Sequence, residues 1–94
     1  MKTLADLKRR MIPGITINCV HLVSGWTPGP RTLAHVDTVK FGLKMPDTDR
    51  VSYCDWPKAK DLEIVDDNTF IVHAPWYIDG EEKLVPLLKY TIIN

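Results

Sequence analysis

Three consecutive stretches of β-forming residues near the middle of the chain predict a β-meander. Two of them, residues 31–36 and 39–44, are separated only by residues 37–38, a connection too short for anything but a hairpin. The Pro- and Asp-containing turn 46–49 then leads into a third stretch, residues 50–56. We expect the rest of the chain to cover this sheet.

Alternation along the middle strand places Phe41 in the core, together with Val39 and Leu43. Side chains alternate between the two faces of a strand, so a shift of one residue would turn all three toward solvent. The meander therefore predicts both a core aromatic and the register that buries it.

Residues 15–23 also alternate, and the odd-numbered positions of this strand, which include Cys19 and His21, should face the core. The spacing of Cys19 and His21 would suit two zinc ligands, but zinc needs three or four protein ligands. The remaining candidates are scattered singly along the chain, at His35, Cys54 and His73. We expect no metal and no cofactor, with Cys19 buried and reduced beside a hydrogen-bonded histidine.

A short helix of about two turns should precede the sheet. Thr3 and Asp6 have the spacing of an N-terminal capping box. Pro13-Gly14 should stop the helix, whose apolar side is formed by Leu4, Leu7 and Met11.

Turns and short strands account for the remaining segments. Residues 24–30 should form a rigid Gly- and Pro-containing loop that presents Trp26, and residues 75–83 a second large loop with Asp79-Gly80 at its tip. The other predicted elements are a 3₁₀ turn within 56–61, strands at 62–65, 69–74 and 86–93, and a turn at 66–68.

About six short antiparallel strands with one N-terminal helix predict a mostly β fold in a single domain, residues 1–94. A small SH3-like barrel is the favoured architecture, and an OB-like barrel is the alternative. An OB-fold normally places its helix between strands rather than before them.

Composition is that of an ordinary globular domain, with 45% hydrophobic and 26% charged residues in 94. Two cysteines are too few for a disulfide scaffold, which indicates a reducing, cytosolic environment. The N-terminal segment lacks the apolar region of a signal peptide, and no apolar run approaches the roughly 20 residues that span a bilayer. We therefore expect no membrane association.

The net charge is zero, but the two halves of the chain differ. Residues 1–44 carry a net charge of +5, and residues 45–94 a net charge of −5. One interpretation is a nucleic-acid-binding module that uses the basic half. Its candidate contacts are Lys8, Arg9, Arg10, Arg31, Lys40 and Lys44.

No nucleophile–base motif, paired catalytic carboxylates or Gly-rich phosphate loop is present in the sequence, so we predict that the chain is not an enzyme. Aromatic and arginine residues in rigid loops match the residue types enriched at protein interfaces. A protein-binding role is therefore the favoured function, and sequestration of a small ligand is a further alternative. The predicted partner-binding residues are Trp26, Arg31, Trp56, Lys58, Trp76 and Tyr77.

Four segments resemble small uncharacterised proteins encoded by bacteriophages and prophages. They are the opening Leu4-Ala-Asp-Leu-Lys-Arg-Arg, the Pro13-Gly14 break, Arg31-Thr32 at a strand start, and Asp55-Trp56-Pro57-Lys58-Ala59. The resemblance implies a phage origin and a location in the bacterial host's cytoplasm, and it carries no catalytic residues with it. By analogy of lifestyle, it suggests an anti-defence inhibitor, such as an anti-CRISPR protein, that blocks a host protein or ribonucleoprotein complex.

Overall fold

The computed structural model describes residues 1–26 and 29–93. One helix, α1 (Leu4–Arg10), precedes a seven-stranded sheet, and a single 3₁₀ turn (Ala59–Asp61) lies between its fourth and fifth strands. The strands are β1 (Thr16–His21), β2 (Gly29–Val36), β3 (Lys40–Lys44), β4 (Val51–Asp55), β5 (Leu62–Ile64), β6 (Thr69–Ile78) and β7 (Glu81–Ile92).

All strand pairs are antiparallel, in the spatial order β4-β3-β2-β1-β7-β6-β5. This confirms the mostly β fold with a short N-terminal helix, although the sheet has seven strands rather than about six. The outermost strands, β4 and β5, form no hydrogen-bonded pair with each other among the described residues. Closure into an SH3-like or OB-like barrel stays a prediction.

The sheet is strongly curled, as the aromatic side chains of its core show. Phe41 on β3 and Tyr90 on β7 are three strands apart, which would separate them by about 14 Å in a flat sheet. Their ring centroids are 5.9 Å apart, and Tyr90 also stacks on Phe70 of β6 at 5.0 Å. The two halves of the sheet therefore face each other across one core.

Helix α1 begins with the predicted capping box. The Thr3 side chain accepts a hydrogen bond from the Asp6 amide, and the Asp6 carboxylate accepts one from the Thr3 amide. Leu7 and Met11 are buried in the core of the curled sheet. The helix therefore covers the core with the apolar face that the sequence predicts.

The polar side of α1 contacts segments next to both edges of the sheet. Lys8 Nζ lies 5.3 Å from the ring centroid of Trp56, which follows β4. Arg10 donates hydrogen bonds to the Asp67 carbonyl and to Asn68 Oδ1, in the turn between β5 and β6. The helix thus bridges the gap between the two outer strands.

The predicted strand 15–23 is wrong at its C-terminal end. β1 ends at His21, and a turn follows in which the Gly25 amide donates to the His21 carbonyl. Val23 is exposed and does not join the core. In the predicted loop 24–30, Gly29 and Pro30 belong to β2, and Thr27 and Pro28 lie outside the described residues.

The predicted loop 75–83 is also wrong, except for its tip. β6 and β7 form one long hairpin through this region, and its turn is Asp79-Gly80, with φ angles of 53° and 81°. Pro75, where the predicted loop begins, lies within β6. In this stretch β6 has β7 as its one strand neighbour in the structure, so the missing N–H of Pro75 disrupts little of the ladder.

Phe41 and Leu43 are buried as predicted, at 1% and 4% exposure, and Cys19 is buried with a free thiol. Placing Val39 inward is wrong, because this side chain is 64% exposed. The Asp37 amide donates a hydrogen bond to the Lys40 carbonyl. This bond closes the turn that precedes β3, and Val39 belongs to that turn. Alternation cannot be extended from the strand into that turn.

A network of hydrogen bonds on Asp37 organises this turn. Asp37 Oδ2 lies 2.6 Å from His35 Nε2, and Oδ1 accepts from the amides of Lys40 at 2.8 Å and Val39 at 2.7 Å. The hydrogen bond with His35, followed by the two backbone hydrogen bonds, holds the pKa of Asp37 well below its usual range. The Asp37 carbonyl also accepts a 2.7 Å hydrogen bond from Trp56 Nε1.

We predict that Phe41→Ala destabilises the fold by about 3–5 kcal/mol, because it opens a cavity at the centre of the core. Val39→Ala is the matched control, and at its exposed position the change should be within about 0.5 kcal/mol. Urea unfolding followed by circular dichroism measures both. Equal destabilisation by the two substitutions would contradict the observed register.

We also predict a loss of stability in acid that depends on Asp37. Its folded-state pKa is depressed, so its contribution is complete above the unfolded pKa near 4 and is lost as the pH falls toward the folded value. Asp37→Asn keeps an oxygen acceptor for the turn but cannot titrate. The urea midpoint should therefore fall less from pH 6 to pH 3 in Asp37→Asn than in the unsubstituted protein. If the urea midpoints of the two proteins fall equally between pH 6 and pH 3, Asp37 does not contribute to the loss of stability in acid.

Candidate functional site

The predicted partner-binding residues lie in four separate segments of the fold. Trp76 and Tyr77 lie near the end of the β6–β7 hairpin, and Trp26 lies in the turn after β1. Arg31 is buried on β2. Trp56 and Lys58 follow β4, at the far end of the strand order from β6.

The end of the β6–β7 hairpin has no third strand beside it in the structure. β5 pairs with residues 70–72 of β6, and β1 pairs with residues 88–92 of β7. Residues 73–78 and 81–86 therefore form a two-stranded projection, which we call the ribbon. An isolated two-stranded hairpin is only marginally stable, so this ribbon needs support at its base.

Aromatic and apolar side chains are exposed on both faces of the ribbon. Tyr77 is 70% exposed, and Trp76, the adjacent residue on the opposite face, is 40% exposed. Leu84, across the hairpin from Pro75, is also exposed. Side chains of this kind are enriched at protein interfaces.

Trp76 also anchors the ribbon to β1. The rings of Trp76 and His21 meet edge to face, with centroids 4.9 Å apart. His21 Nδ1 accepts a 3.1 Å hydrogen bond from the Ser24 amide, and Ser24 Oγ accepts one from the Trp26 amide. The His21 amide donates to the Trp26 carbonyl at 2.7 Å. His21 therefore connects the Trp26 turn with Trp76 of the ribbon.

The tip of the ribbon carries negative charge. Asp79, Glu81 and Glu82 are exposed, and Lys83 is the one basic residue close to them in sequence. Lys83 Nζ lies 4.0 Å from a carboxylate oxygen of Glu81. One lysine leaves the three carboxylates with a net negative charge.

A pocket of about 230 Å³ opens inside the curled sheet, beside Trp26. Side chains of β1, β2, β3, β4 and β7 line it, because the curl brings these strands around one space. Leu43, Met45 and Leu88 make much of the lining apolar. The polar or polarisable side chains that line it are Cys19, Trp26, Arg31, Ser52, Cys54 and Tyr90.

Arg31 is the charged residue of this pocket. It is only 8% exposed, and its Nε atom is buried without a hydrogen-bond partner. In the part of the chain that the structure describes, its guanidinium forms no ion pair. A buried, uncompensated cation is costly to folding, and such residues concentrate at functional sites.

The neighbouring side chains do not neutralise Arg31. Burial raises the pKa of the Cys19 thiol, with a further increase from Cys54, and this outweighs the opposing effect of the Arg31 charge. Burial likewise raises the pKa of Tyr90, whose hydroxyl donates to Cys54 Sγ at 3.8 Å. Cys19 and Tyr90 therefore stay neutral near pH 7.

The predicted nucleic-acid contacts do not form one basic surface of unengaged side chains. Arg9 pairs with Asp6, and Lys44 Nζ lies 3.5 Å from Asp49. Lys40 Nζ lies 5.1 Å from the ring centroid of Tyr53. Lys8 and Arg10 hold the helix against the sheet, as described above, and Arg31 is buried.

Trp56 has a structural position. Its ring packs on Phe41 with centroids 4.8 Å apart, and its indole N–H donates a hydrogen bond to the Asp37 carbonyl. Lys58, close by in sequence, is exposed at the start of the 3₁₀ turn. The Trp56 ring therefore has less surface to offer a partner than Trp26, which is 62% exposed.

Sequence reasoning missed the pocket and the burial of Arg31, although a signal was present. Arg31 and Leu33 share one face of β2, while Thr32 and Ala34 on the other face are exposed. Alternation thus indicated an inward arginine. The residues that complete the pocket come from five strands, and only their folding together brings them to one place.

Within residues 1–26 and 29–93, no cluster of three or more His, Cys, Asp or Glu side chains is arranged to hold a metal ion. The helix present in this part of the chain is too short to cross a bilayer.

Comparison of the chain with protein-family models, with curated proteins and with solved structures finds no match.

Proposed function

We propose that this protein is a non-enzymatic binding module that blocks or modulates a macromolecular complex of a bacterial host. The ribbon and Trp26 form the docking surface. The observation that carries the proposal is a hairpin with exposed aromatic side chains on both faces, connected through His21 to the turn that carries the exposed Trp26. Aromatic anchors of this kind supply much of the energy of protein interfaces.

The two-sided exposure of the ribbon indicates the shape of the partner. Trp76 and Tyr77 point to opposite faces, so a flat partner surface would cover only one of them. A cleft that receives the ribbon would cover both. The acidic tip favours a cleft whose inner end is positively charged, since complementary charge accelerates association and excludes other partners.

The charge distribution supports a protein-binding role over the nucleic-acid alternative. A nucleic-acid interface needs several lysine or arginine side chains directed at phosphates. Here, five of the six candidate cations contact side chains or backbone of the protein itself, and Arg31 is buried. The phage resemblance supplies the host setting of the proposal, and an anti-defence role is its most specific form.

We predict that Trp26→Ala and Tyr77→Ala each weaken partner binding by about 2 kcal/mol or more, with little loss of stability, because both side chains are mostly exposed. Affinity capture from a bacterial host lysate identifies the partner. Isothermal titration calorimetry with the purified partner then measures each variant.

Tyr53→Ala is the matched control, because Tyr53 is an equally exposed aromatic on the edge strand β4, away from the ribbon in the strand order. It should leave the affinity unchanged. Tight binding to naked DNA or RNA at physiological salt, lost when Lys8, Arg9 and Arg10 are replaced and kept in Trp26→Ala, would instead establish the nucleic-acid alternative.

A further inference from the structure

The pocket around Arg31 has the features of a built binding site. Arg31 as a residue is more than nine-tenths buried, lies at a core-facing position of the inner strand β2, and lines a space of about 230 Å³. An apolar cavity of about 150 Å³ binds benzene. The pocket is therefore large enough for a small organic molecule.

The chemistry of the lining restricts the ligand to an anion with an apolar body. Among the residues that the structure describes, Arg31 is the one charged group in the lining, and its buried Nε has no hydrogen-bond partner. Leu43, Met45 and Leu88 provide apolar contacts, and Trp26 lies beside the opening. An uncharged apolar ligand would leave the buried guanidinium uncompensated.

A carboxylate suits these donors better than a phosphate does. A planar guanidinium binds a carboxylate through two parallel N–H···O bonds. Besides the guanidinium, the lining offers the hydroxyl of Ser52 as a hydrogen-bond donor to the ligand. The hydroxyl of Tyr90 already donates its hydrogen to Cys54. A phosphate carries up to two charges and more acceptor oxygens than this set of groups can satisfy.

We propose that the Arg31 pocket binds a small monoanionic carboxylate with an apolar body, its carboxylate on the Arg31 guanidinium and its apolar part against Leu43, Met45 and Leu88. The carboxylate belongs to a free organic acid or to an acidic side chain inserted by a protein. The pocket shares Trp26 with the proposed docking surface, but binding of an acid does not depend on the docking function.

The test compares acids with their neutral amides. Benzoate and benzamide have nearly the same size and shape but differ in charge. A second pair, the amide-capped dipeptides Phe-Glu and Phe-Gln, presents the carboxylate on a side chain. Titration followed by NMR of the Arg31 Nε–H and Trp26 indole N–H signals measures binding. For a ligand this small we expect a Kd of roughly 1 mM for the acid, and at least about tenfold weaker binding for its amide.

Arg31→Met supplies the matched variant, because it keeps an unbranched apolar stem and removes the charge. It should abolish the preference for the acid over the amide. It should also raise Tm by a few degrees, because a buried charge without a partner destabilises the fold. Arg31→Lys keeps the charge without the planar fork, and should bind benzoate more weakly than the unsubstituted protein.

The outcomes separate the two sources and can overturn the proposal. Binding of benzoate but not of the Glu dipeptide assigns a free acid, and the reverse assigns a protein side chain. Equal binding of acid and amide, the absence of binding by both acids, or an acid preference that survives in Arg31→Met would each refute the site. If Arg31→Met does not fold, the comparison of acid with amide binding to the unsubstituted protein still tests the proposal.

Discussion

The packing of Tyr90 against aromatic rings from both halves of the sheet is the contact on which the rest of the structure depends. Tyr90 stacks on Phe70 and meets Phe41 edge to face, although Phe41 lies three strands away in the sheet. A flat sheet of seven strands in a chain of this size would leave both faces largely exposed. Curling around the aromatic rings lets one sheet bury its own inner face, with α1 covering the gap between β4 and β5.

The curl also creates the pocket. Side chains fill most of the space that a curled sheet encloses, and the residues at the end of that space determine whether any of it stays open. In this protein an arginine occupies one of those positions, where a leucine would complete the core. An arginine in such a position lowers stability unless something pairs with it. Arg31 destabilises the protein when nothing is bound, and it is therefore also the strongest indication of a ligand.

Local signals in the sequence predicted the helix and the turns well, because capping boxes and Asp-Gly turns depend on a few adjacent residues. Thr3 with Asp6, and Asp79 with Gly80, illustrate this. The sequence predicts a loop over residues 75–83, whereas β6 continues to Ile78 because its length depends on a β7 partner downstream in the chain. The inward position of Arg31 was missed for a different reason. Arg31 is predicted as a residue that contacts a partner, even though the alternation of β2 indicates the core.

Trp26 connects the two proposed sites. It lines the pocket, and its turn is connected through His21 to Trp76 of the ribbon. A ligand that packs against Trp26 would change the surface that a docking partner meets at the same residue. By thermodynamic linkage, any effect of the ligand on partner affinity must be matched by an equal effect of the partner on ligand affinity. If both proposals hold, occupation of the Arg31 pocket is therefore a physical route by which a small acid could regulate docking, and His21 is the residue through which the Trp26 turn and the ribbon would respond together.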